Sequence, residues 1–290
     1  MTIRKPPRAT PAYGSRDREF VQGLERGLGV LKAFSAETPR LTVTGVAAQA
    51  GLTRAVARRY LLTLKSLGYV AQEGDRGGYF SLTPRVLDFG FAYLSAMGIA
   101  AVARPFMEQV ADTLRENCSI AVIDGRDVVY LARVTAKRII GSNVAVGSRL
   151  PAHCTSMGKI FLAAMSPADL AAFFAGGPLK PMTARSICQE TRLRHALAEV
   201  RSRGYAFNDG ESEEGIRGVA APIFDRSGHL HAAMNVAGLA SRVSMKELRA
   251  RYLPILLEAT DGISRALGAD RHQLENRNLT QRLSRLQFSG

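Results

Sequence analysis

Hydrophobic residues in the first third of the chain recur at intervals of three and four, the spacing of a helix with one buried side. Residues 20–36 carry Leu24, Leu28, Leu31 and Phe34 at this spacing. The pattern predicts an amphipathic helix whose apolar side supports the elements that follow it.

Two short helices joined by a tight turn are predicted next, over residues 42–67. Thr42 and Thr53 are of the residue type that caps a helix N-terminus, and each precedes a segment of helical periodicity. Gly51, between the two segments, can adopt the left-handed conformation that a sharp turn requires. This arrangement is a helix-turn-helix.

The second helix, over residues 54–67, has one apolar side and one basic side. Ala57, Leu61, Leu64 and Leu67 share a side and are predicted to be buried. The opposite side carries Arg54, Arg58, Arg59 and Lys65. Folding gives no reason for this cluster of cations, although an ordinary solvated helix surface is the simpler interpretation of any one of them.

A β-hairpin is predicted after the second helix. Residues 69–71 and 79–82 are β-prone, and the glycine-rich segment 73–78 between them, which carries Arg76, suits a hairpin loop. A hairpin next to a helix-turn-helix is the wing of a winged helix, which binds DNA. The sequence therefore predicts a double-stranded DNA operator as a partner.

The predicted DNA contacts lie on the second helix and the wing. They are Thr53, Arg54, Arg58, Arg59, Lys65 and Arg76. Arg54 and Arg58 are the predicted readers of base edges, whereas the remaining cations are predicted to contact phosphates.

A connector helix is predicted over residues 84–98, because Thr83 is a capping residue ahead of a proline at the first helical position. A further helix continues to about residue 116, with a kink near Pro105.

After residue 116, segments with the hydrophobic periodicity of strands alternate with segments that have the periodicity of helices. Strands are predicted at residues 119–123, 128–134, 139–146, 219–224 and 230–236. Helices are predicted at residues 155–165, from 166, at 191–203 and at 244–267. This order indicates an α+β domain, an antiparallel sheet with helices on its faces.

The charge of the 290-residue chain is unevenly distributed. Residues 1–85 carry +8 and residues 86–290 carry +6 of the net +14. The excess of positive charge coincides with the helix-turn-helix, as binding to phosphates requires.

The three cysteines are widely spaced and odd in number, which favours a reducing compartment. No segment approaches the roughly 18–20 apolar residues of a membrane span, so a cytoplasmic location is predicted.

Five longer segments carry a family resemblance. They are FVQGLERGL at 20–28, GLTR at 51–54, PAHCTSMGK at 151–159, GYAFND at 204–209 and EGIRGVAAPI at 214–223. Together they resemble the IclR family of transcription regulators over nearly all of residues 20–267. Within that family, residues 82–87 and 130–140 are most similar to the regulators of protocatechuate and 4-hydroxybenzoate catabolism.

The resemblance implies a GAF-like C-terminal domain that binds a small carboxylic acid. The family's ligand positions fall on Ser156, Met157, Asn208, Ile216 and Gly218. Asn208 and Gly218 stand where some relatives carry an acid and a cysteine. The neutral Asn208 leaves less negative charge at the site than an acid would, and Gly218 leaves more room than a cysteine would. Both differences imply a larger anionic ligand, such as an aromatic acid.

Residue chemistry adds further effector candidates. Thr155 lies at the start of a predicted helix, where a hydroxyl and free N–H groups can hold a carboxylate, although plain helix capping explains it equally well. Arg138, with Arg133 as the lesser candidate, can pair with a carboxylate, and a surface strand position is the alternative for Arg138. Ser142 completes the candidate set.

The predicted domains are a disordered basic arm (1–18), the winged helix-turn-helix (19–83), the connector helix (84–98), the effector-binding domain (99–268) and a polar tail (269–290). The prediction is a regulator of an aromatic-acid catabolic operon, of the protocatechuate, 4-hydroxybenzoate or β-ketoadipate type. It acts as a homodimer or a tetramer, without a cofactor and without a membrane partner.

Three alternatives to this function are a regulator that senses a small non-aromatic acid, an architectural DNA binder whose C-terminal domain only dimerises, and an enzyme tethered to DNA. The enzyme is disfavoured, because no group orients His153 or Cys154 as a catalytic pair. A metal site at His229 and His231 is disfavoured, because no third ligand accompanies them at a suitable spacing.

Overall fold

The structure is a computed structural model that describes residues 20–35, 37–74, 78–89, 98–136 and 144–270. The chain divides into two compact units, Met1–Tyr93 and Leu94–Gly290. The predicted basic arm, residues 90–97 of the predicted connector and residues 271–290 of the predicted tail lie outside the described residues.

The N-terminal unit is a winged helix-turn-helix. Its elements are α1 (Gln22–Lys32), β1 (Arg40–Leu41), α2 (Val43–Ala50), α3 (Arg54–Ser66), β2 (Val70–Glu73), β3 (Tyr79–Leu82) and a 3-10 turn (Pro84–Val86). The three strands form an antiparallel sheet in the order β1-β3-β2. The strand β1 is two residues long and is not predicted from the sequence, because so short a strand is defined by its pairing partner.

Local sequence sets the turn between α2 and α3. The hydroxyl oxygen of Thr42 accepts a hydrogen bond from Gly45 N (3.2 Å), and that of Thr53 accepts one from Val56 N (3.3 Å). Gly51 ends α2 with a φ of 66°, in the left-handed region where a side chain would be strained. The three residues therefore act as predicted.

Three residues of this unit that were predicted to be buried, Leu24, Leu28 and Leu67, are exposed. On α1, Leu24 and Leu28 are 64% and 48% exposed. In the first half of α1, the residues next to the ring of Tyr60 on α3 are Gly23 and Gly27, so the two leucines face away from this contact. Near the end of the helix, the buried contacts are made by Val30, Ala33 and Phe34. Leu67 is 51% exposed, because α3 ends before it, at Ser66.

The C-terminal unit is built on one six-stranded antiparallel sheet in the order β6-β5-β4-β9-β8-β7. The strands are β4 (Asn117–Asp124), β5 (Asp127–Val134), β6 (Arg149–Pro151), β7 (Ala206–Asp209), β8 (Ile216–Phe224) and β9 (Leu230–Leu239). The helices are α4 (Ile99–Leu114), α5 (Ser156–Ala164), α6 (Pro167–Ala175), α7 (Glu190–Arg203), α8 (Met245–Glu247) and α9 (Leu253–Ala266), with a π-helical turn (Leu248–Tyr252) between the last two. The α+β prediction is confirmed.

Both faces of this sheet carry a hydrophobic core. On one face, Met107 of α4 and Leu256 of α9 pack with strand residues such as Met234. On the other face, Ile160 of α5 and Leu197 of α7 pack with strand residues that include Ala233. Because neighbouring residues of a strand point to opposite faces, β4, β5, β7, β8 and β9 each contribute to both cores.

The edge strand next to β5 differs from the predicted one. Residues 137–143 lie outside the described residues, and residues 144–146, predicted as the end of a strand, are not part of one, because residues 145–148 form a turn. In that turn, Ala145 N donates to Ser148 Oγ (2.9 Å) and Gly147 N donates to Tyr130 O (2.8 Å). The pairing strand β6 begins only at Arg149, because this turn occupies the residues before it.

None of the helices within the described residues combines the length and the apolar character that crossing a membrane requires.

Replacing Thr42 with alanine tests the cap at the start of the helix-turn-helix. We expect Thr42→Ala to lower the free energy of unfolding by about 1 kcal/mol, because Gly45 N loses its acceptor. Thr42→Ser keeps the hydroxyl and is the matched control. Urea unfolding followed by circular dichroism measures both. Equal stability of the alanine variant and the wild-type protein would show that the cap contributes nothing.

Candidate DNA interface and effector cavity

The exposed side of α3 is the candidate DNA interface. Arg54, Arg58 and Arg59 are exposed, and none of them makes an ion pair within the part of the chain that the structure describes. Cations without an acidic partner can replace the counterions of DNA phosphates. The geometry of α3 is therefore compatible with the contacts predicted from the sequence.

The other predicted DNA contacts surround this side of α3. Lys65 Nζ donates to Gln72 Oε1 on β2 at 2.9 Å, which links the end of α3 to the hairpin. Thr53 is exposed, and its hydroxyl oxygen caps α3 while its O–H stays available as a donor. Arg76 lies outside the described residues. The roles of these residues toward DNA stay predictions.

A cavity of about 550 Å³ lies in the C-terminal unit, lined by residues from β4, β5, β6, β8 and β9. Its polar lining includes Asn117, Ser119, Tyr130, Arg133, Asn235 and Arg242. Its apolar lining includes Val144, Leu150, Met182, Ile216, Ala237 and Leu239. Its volume lies in the range of roughly 300–1,000 Å³ that small-molecule sites occupy.

Strand register brings three of the polar residues into one row. Ser119 on β4 lies directly opposite Arg133 on β5 and directly opposite Asn235 on β9. Directly opposite residues of antiparallel strands project their side chains on the same face of the sheet. We call Arg133, Ser119 and Asn235 the polar row.

Two of the arginines at the cavity have acidic partners. Arg149 Nη1 donates to Asp124 Oδ2 (2.6 Å), and Arg242 Nη2 donates to both carboxylate oxygens of Glu116 (3.0 and 3.1 Å). These pairs compensate charges at the rim of the cavity. Arg133, a half-buried arginine of the polar row, is a further cation at the cavity and a candidate to hold the carboxylate of a ligand.

Burial changes the acid–base properties of two lining residues. It raises the pKa of the Tyr130 hydroxyl to about 12, although the nearby Arg133 acts in the opposite direction. Tyr130 therefore stays protonated at neutral pH and can donate a hydrogen bond to a bound anion. Burial also lowers the pKa of the Arg133 guanidinium, but an arginine keeps its charge at neutral pH.

The structure brings only some of the predicted effector residues to the cavity. Ile216 lines it. Gly218 lies next to it, since a Cβ there would come within 3.2 Å of Cβ of the lining residue Ala237. The buried residues Thr155, Ser156, Met157 and Asn208 are not part of its lining. Arg138 and Ser142 lie outside the described residues.

Thr155 and Asn208 make hydrogen bonds within the protein. Thr155 Oγ1 accepts from Gly158 N (2.9 Å) as the N-cap of α5. Asn208 Nδ2 donates to Cys154 O (2.6 Å), and its Oδ1 accepts from Glu211 N (3.2 Å). These bonds fix the start of α5 and the loop after β7, and a direct ligand role for either residue stays a prediction.

A buried ion pair links the same two regions. Lys159 Nζ on α5 lies 2.5 Å from Glu211 Oε1, and the two side chains are only 5% and 10% exposed. The second carboxylate oxygen, Glu211 Oε2, is buried without a hydrogen-bond partner among the described residues. The pair anchors the loop that carries the lining residues Ser212 and Glu213.

Sequence reasoning missed Ser119, Asn235 and Arg242 as cavity residues. A signal for the first two exists, because Ser119 and Asn235 each interrupt a run of apolar residues in a buried strand. Polar residues at such positions are favoured where a ligand or a partner satisfies them. Arg242 has no such signal, because it follows β9 in a loop.

Family models cover most of the chain. The model described as "IclR helix-turn-helix domain" matches residues 23–74, and that described as "Bacterial transcriptional regulator IclR C-terminal" matches residues 91–265. The chain belongs to the IclR family.

Two IclR-family relatives are transcription regulators. The chain is 40% identical over 245 residues to the Pca regulon regulatory protein of Pseudomonas putida, covering 84% of this chain and 83% of that protein. It is 35% identical over 246 residues to the p-hydroxybenzoate hydroxylase transcriptional activator of Acinetobacter baylyi, covering 83% and 90%. The predicted resemblance to the protocatechuate and 4-hydroxybenzoate regulators is confirmed.

A solved structure shows the same fold. The IclR homologue of Microbacterium hydrocarbonoxydans, solved in complex with 4-hydroxybenzoate, aligns with a TM-score of 0.74 at 26% identity, over 84% of this chain and 98% of that chain. The chain is thus an IclR-family transcriptional regulator with a helix-turn-helix domain.

The buried ion pair gives a prediction about stability. We expect Lys159→Met to lower the free energy of unfolding by about 3–5 kcal/mol, because Glu211 is left as an uncompensated buried charge. Chemical unfolding measures the loss. The double variant Lys159→Met/Glu211→Leu removes both charges and should recover most of it. A double variant less stable than Lys159→Met would contradict this account.

Proposed function

We propose that this IclR-family regulator binds its operator through α3 and changes its affinity for that operator when an aromatic carboxylic acid occupies the cavity. The observation that carries this proposal is the polar row, which places Arg133 at a cavity of about 550 Å³ that is lined by polar side chains and by apolar ones such as Leu150 and Ile216. The relatives named for the Pca regulon and for p-hydroxybenzoate hydroxylase support the aromatic class, as does the homologue solved with 4-hydroxybenzoate.

The effector carboxylate pairs with the Arg133 guanidinium, which offers two parallel N–H donors to a carboxylate. The protonated Tyr130 hydroxyl donates a further hydrogen bond from the same strand. The aromatic ring contacts apolar lining residues, of which Leu150 and Ile216 lie on β6 and β8. A ring of this kind gains its binding free energy from burial, and the charged end sets its orientation.

On the DNA side, Arg54 and Arg58 contact base edges in the major groove, while Arg59, Lys65 and Arg76 contact phosphates. The regulator acts in the cytoplasm as a dimer, or as a pair of dimers, on a repeated operator. Effector binding shifts the equilibrium between two arrangements of the subunits. A coupling free energy of about 1–3 kcal/mol changes operator affinity by roughly 5- to 150-fold, which is enough for a switch.

Alanine substitutions on α3 test the DNA contacts. We expect Arg54→Ala and Arg58→Ala to weaken binding to the operator by about 1–3 kcal/mol each, and to weaken binding to random DNA much less, because base contacts carry the sequence preference. Fluorescence anisotropy with both DNAs at a fixed salt concentration measures this ratio.

Arg26→Ala is the matched control for these variants, since Arg26 is an exposed arginine of α1 in the same unit. It should leave the ratio of the two affinities unchanged. If Arg54→Ala and Arg58→Ala weakened both DNAs equally, the assignment to base edges would be wrong.

Replacing Arg133 tests the effector site. We expect Arg133→Met to weaken the binding of 4-hydroxybenzoate by at least about 10-fold, because a carboxylate loses its charged partner in a partly buried site. Isothermal titration calorimetry measures the affinity. Arg104→Ala, on the exposed surface of α4, is the control that also removes one positive charge.

The same titration decides between ligand classes. Heat with 4-hydroxybenzoate or protocatechuate but not with pyruvate or acetate supports the aromatic class. Binding of the small acids alone would favour a regulator that senses a non-aromatic acid, and no heat with any acid would favour a C-terminal domain that only dimerises.

A further inference from the structure

The two residues that follow the end of α3 are fastened to its last turn. Gly68 N donates to Lys65 O (3.0 Å), and Tyr69 N donates to Leu64 O (2.9 Å). Gly68 has a φ of 82°, in the left-handed region that lets a chain leave a helix while its N–H groups still bond to the last carbonyls. A displacement of Gly68 and Tyr69 therefore displaces the end of α3 as well.

The start of the predicted connector is bonded to the same two residues. Thr83 Oγ1 donates to Gly68 O (2.6 Å), and Thr83 N donates to Tyr69 O (3.0 Å). The 3-10 turn Pro84–Val86 begins directly after Thr83. Thr83 lies 15 positions after Gly68 in the chain, so these hydrogen bonds bring the start of the predicted connector back to the end of α3.

Two side chains that follow Thr83 contact the ring of Tyr69. The rings of Tyr69 and Phe89 are stacked, with centroids 5.4 Å apart and an angle of 21° between their planes. The guanidinium carbon of Arg85 lies 5.3 Å from the centroid of the Tyr69 ring. Ring pairs and cation–π pairs at these distances attract each other. We call Gly68, Tyr69, Thr83, Arg85 and Phe89 the joint.

The position of Phe89 is better explained by geometry than by burial. Its side chain is 62% exposed, so it adds little to the hydrophobic core of the unit. Its stacking on Tyr69 instead fixes the orientation of residues 87–89 relative to the end of α3. Gly68 supports the same arrangement, because a Cβ there would lie only 3.1 Å from Arg85 Nη1.

We propose that the joint transmits the effector response to the DNA-binding surface, because it makes the start of the predicted connector and the end of α3 move together. Phe89 is a positioning residue, since it acts on α3 through Tyr69. This inference rests on the proposed function, which supplies an aromatic acid that changes operator affinity. It adds the contact through which that change reaches α3.

The experiment measures how strongly an acid changes DNA binding by the full-length protein. The DNA is the duplex that the wild-type protein selects from a random pool, and the acids are 4-hydroxybenzoate and protocatechuate. Fluorescence anisotropy gives the dissociation constant for DNA without acid and with saturating acid. The ratio of these two constants is the response, which we expect to be roughly 5- to 150-fold in the wild-type protein.

The variant Phe89→Ala removes the ring that stacks on Tyr69. We expect its response to fall by about 3-fold or more, while its affinity for the acid and its affinity for DNA without acid each change by less than about 2-fold. Isothermal titration calorimetry gives the affinity for the acid. A loss of stability alone would not remove the response while both affinities are kept.

Three further variants complete the series. Phe89→Tyr keeps an aromatic ring and should keep the response. Tyr69→Leu removes the other ring, should lower the response as Phe89→Ala does, and is the test variant if Phe89→Ala does not fold. Leu87→Ala is the matched control, because it shortens a side chain of the same turn that is 67% exposed and has no ring to stack. It should leave the response unchanged.

Hydrogen–deuterium exchange tests the joint without a ligand. The Thr83 amide bonds to Tyr69 O, so its rate of exchange reports how often the joint opens. In Phe89→Ala, we expect peptides that contain Thr83 to exchange about 3-fold or more faster than in the wild-type protein, because the stacked ring no longer holds the joint closed. Peptides from α2 should exchange at an unchanged rate.

Four results would overturn the inference. An unchanged response in Phe89→Ala and Tyr69→Leu would show that the signal reaches α3 by another route, and the proposed function would stand. An equal loss in Leu87→Ala would show that the ring contact has no special role. Unchanged exchange at Thr83 in Phe89→Ala would show that the ring does not hold the joint. If wild-type protein bound neither acid, or bound one without a response, the proposed function would fail, and the inference with it.

Discussion

The six-stranded sheet of the C-terminal unit has to be covered on both faces, and this constraint determines where a ligand can bind. One face is filled by the side chains of α4 and α9, and part of the other by those of α5 and α7. The remaining part of the second face carries polar residues such as Ser119 and Asn235 among apolar ones. A cavity results where the helices leave the sheet uncovered and the strands supply hydrogen-bonding groups.

Elements with local signals were predictable from the sequence. A capping threonine, a glycine in the left-handed region and a regular apolar stripe each act within a few residues, so the helix-turn-helix follows from Thr42, Gly51 and Thr53. The capping box of Ser244 and Glu247 is likewise present. The exposure of Leu24 was not predictable, because it depends on the packing of the glycine side of α1 against Tyr60.

The cavity was predictable only in small part, because its residues are brought together by strand register. Arg242 and Glu116 are 126 positions apart and meet at its rim. Ser119 and Asn235 are opposite partners from strands far apart in sequence, and no short-range pattern relates them. The resemblance directed attention to Asn208, and helix-terminus chemistry to Thr155, but both residues have partners within the protein, whereas a buried carboxamide oxygen on β9 has none among the described residues.

The edges of the sheet have a consequence for the behaviour of the protein at high concentration. Among the described residues, the two edge strands, β6 and β7, are only three and four residues long, and β6 ends in Pro151, which lacks a backbone donor. A foreign strand finds few unpaired backbone groups at either edge, so intermolecular β-pairing is disfavoured. Short edges of this kind are one of the ways in which proteins limit the growth of a sheet from one molecule into the next.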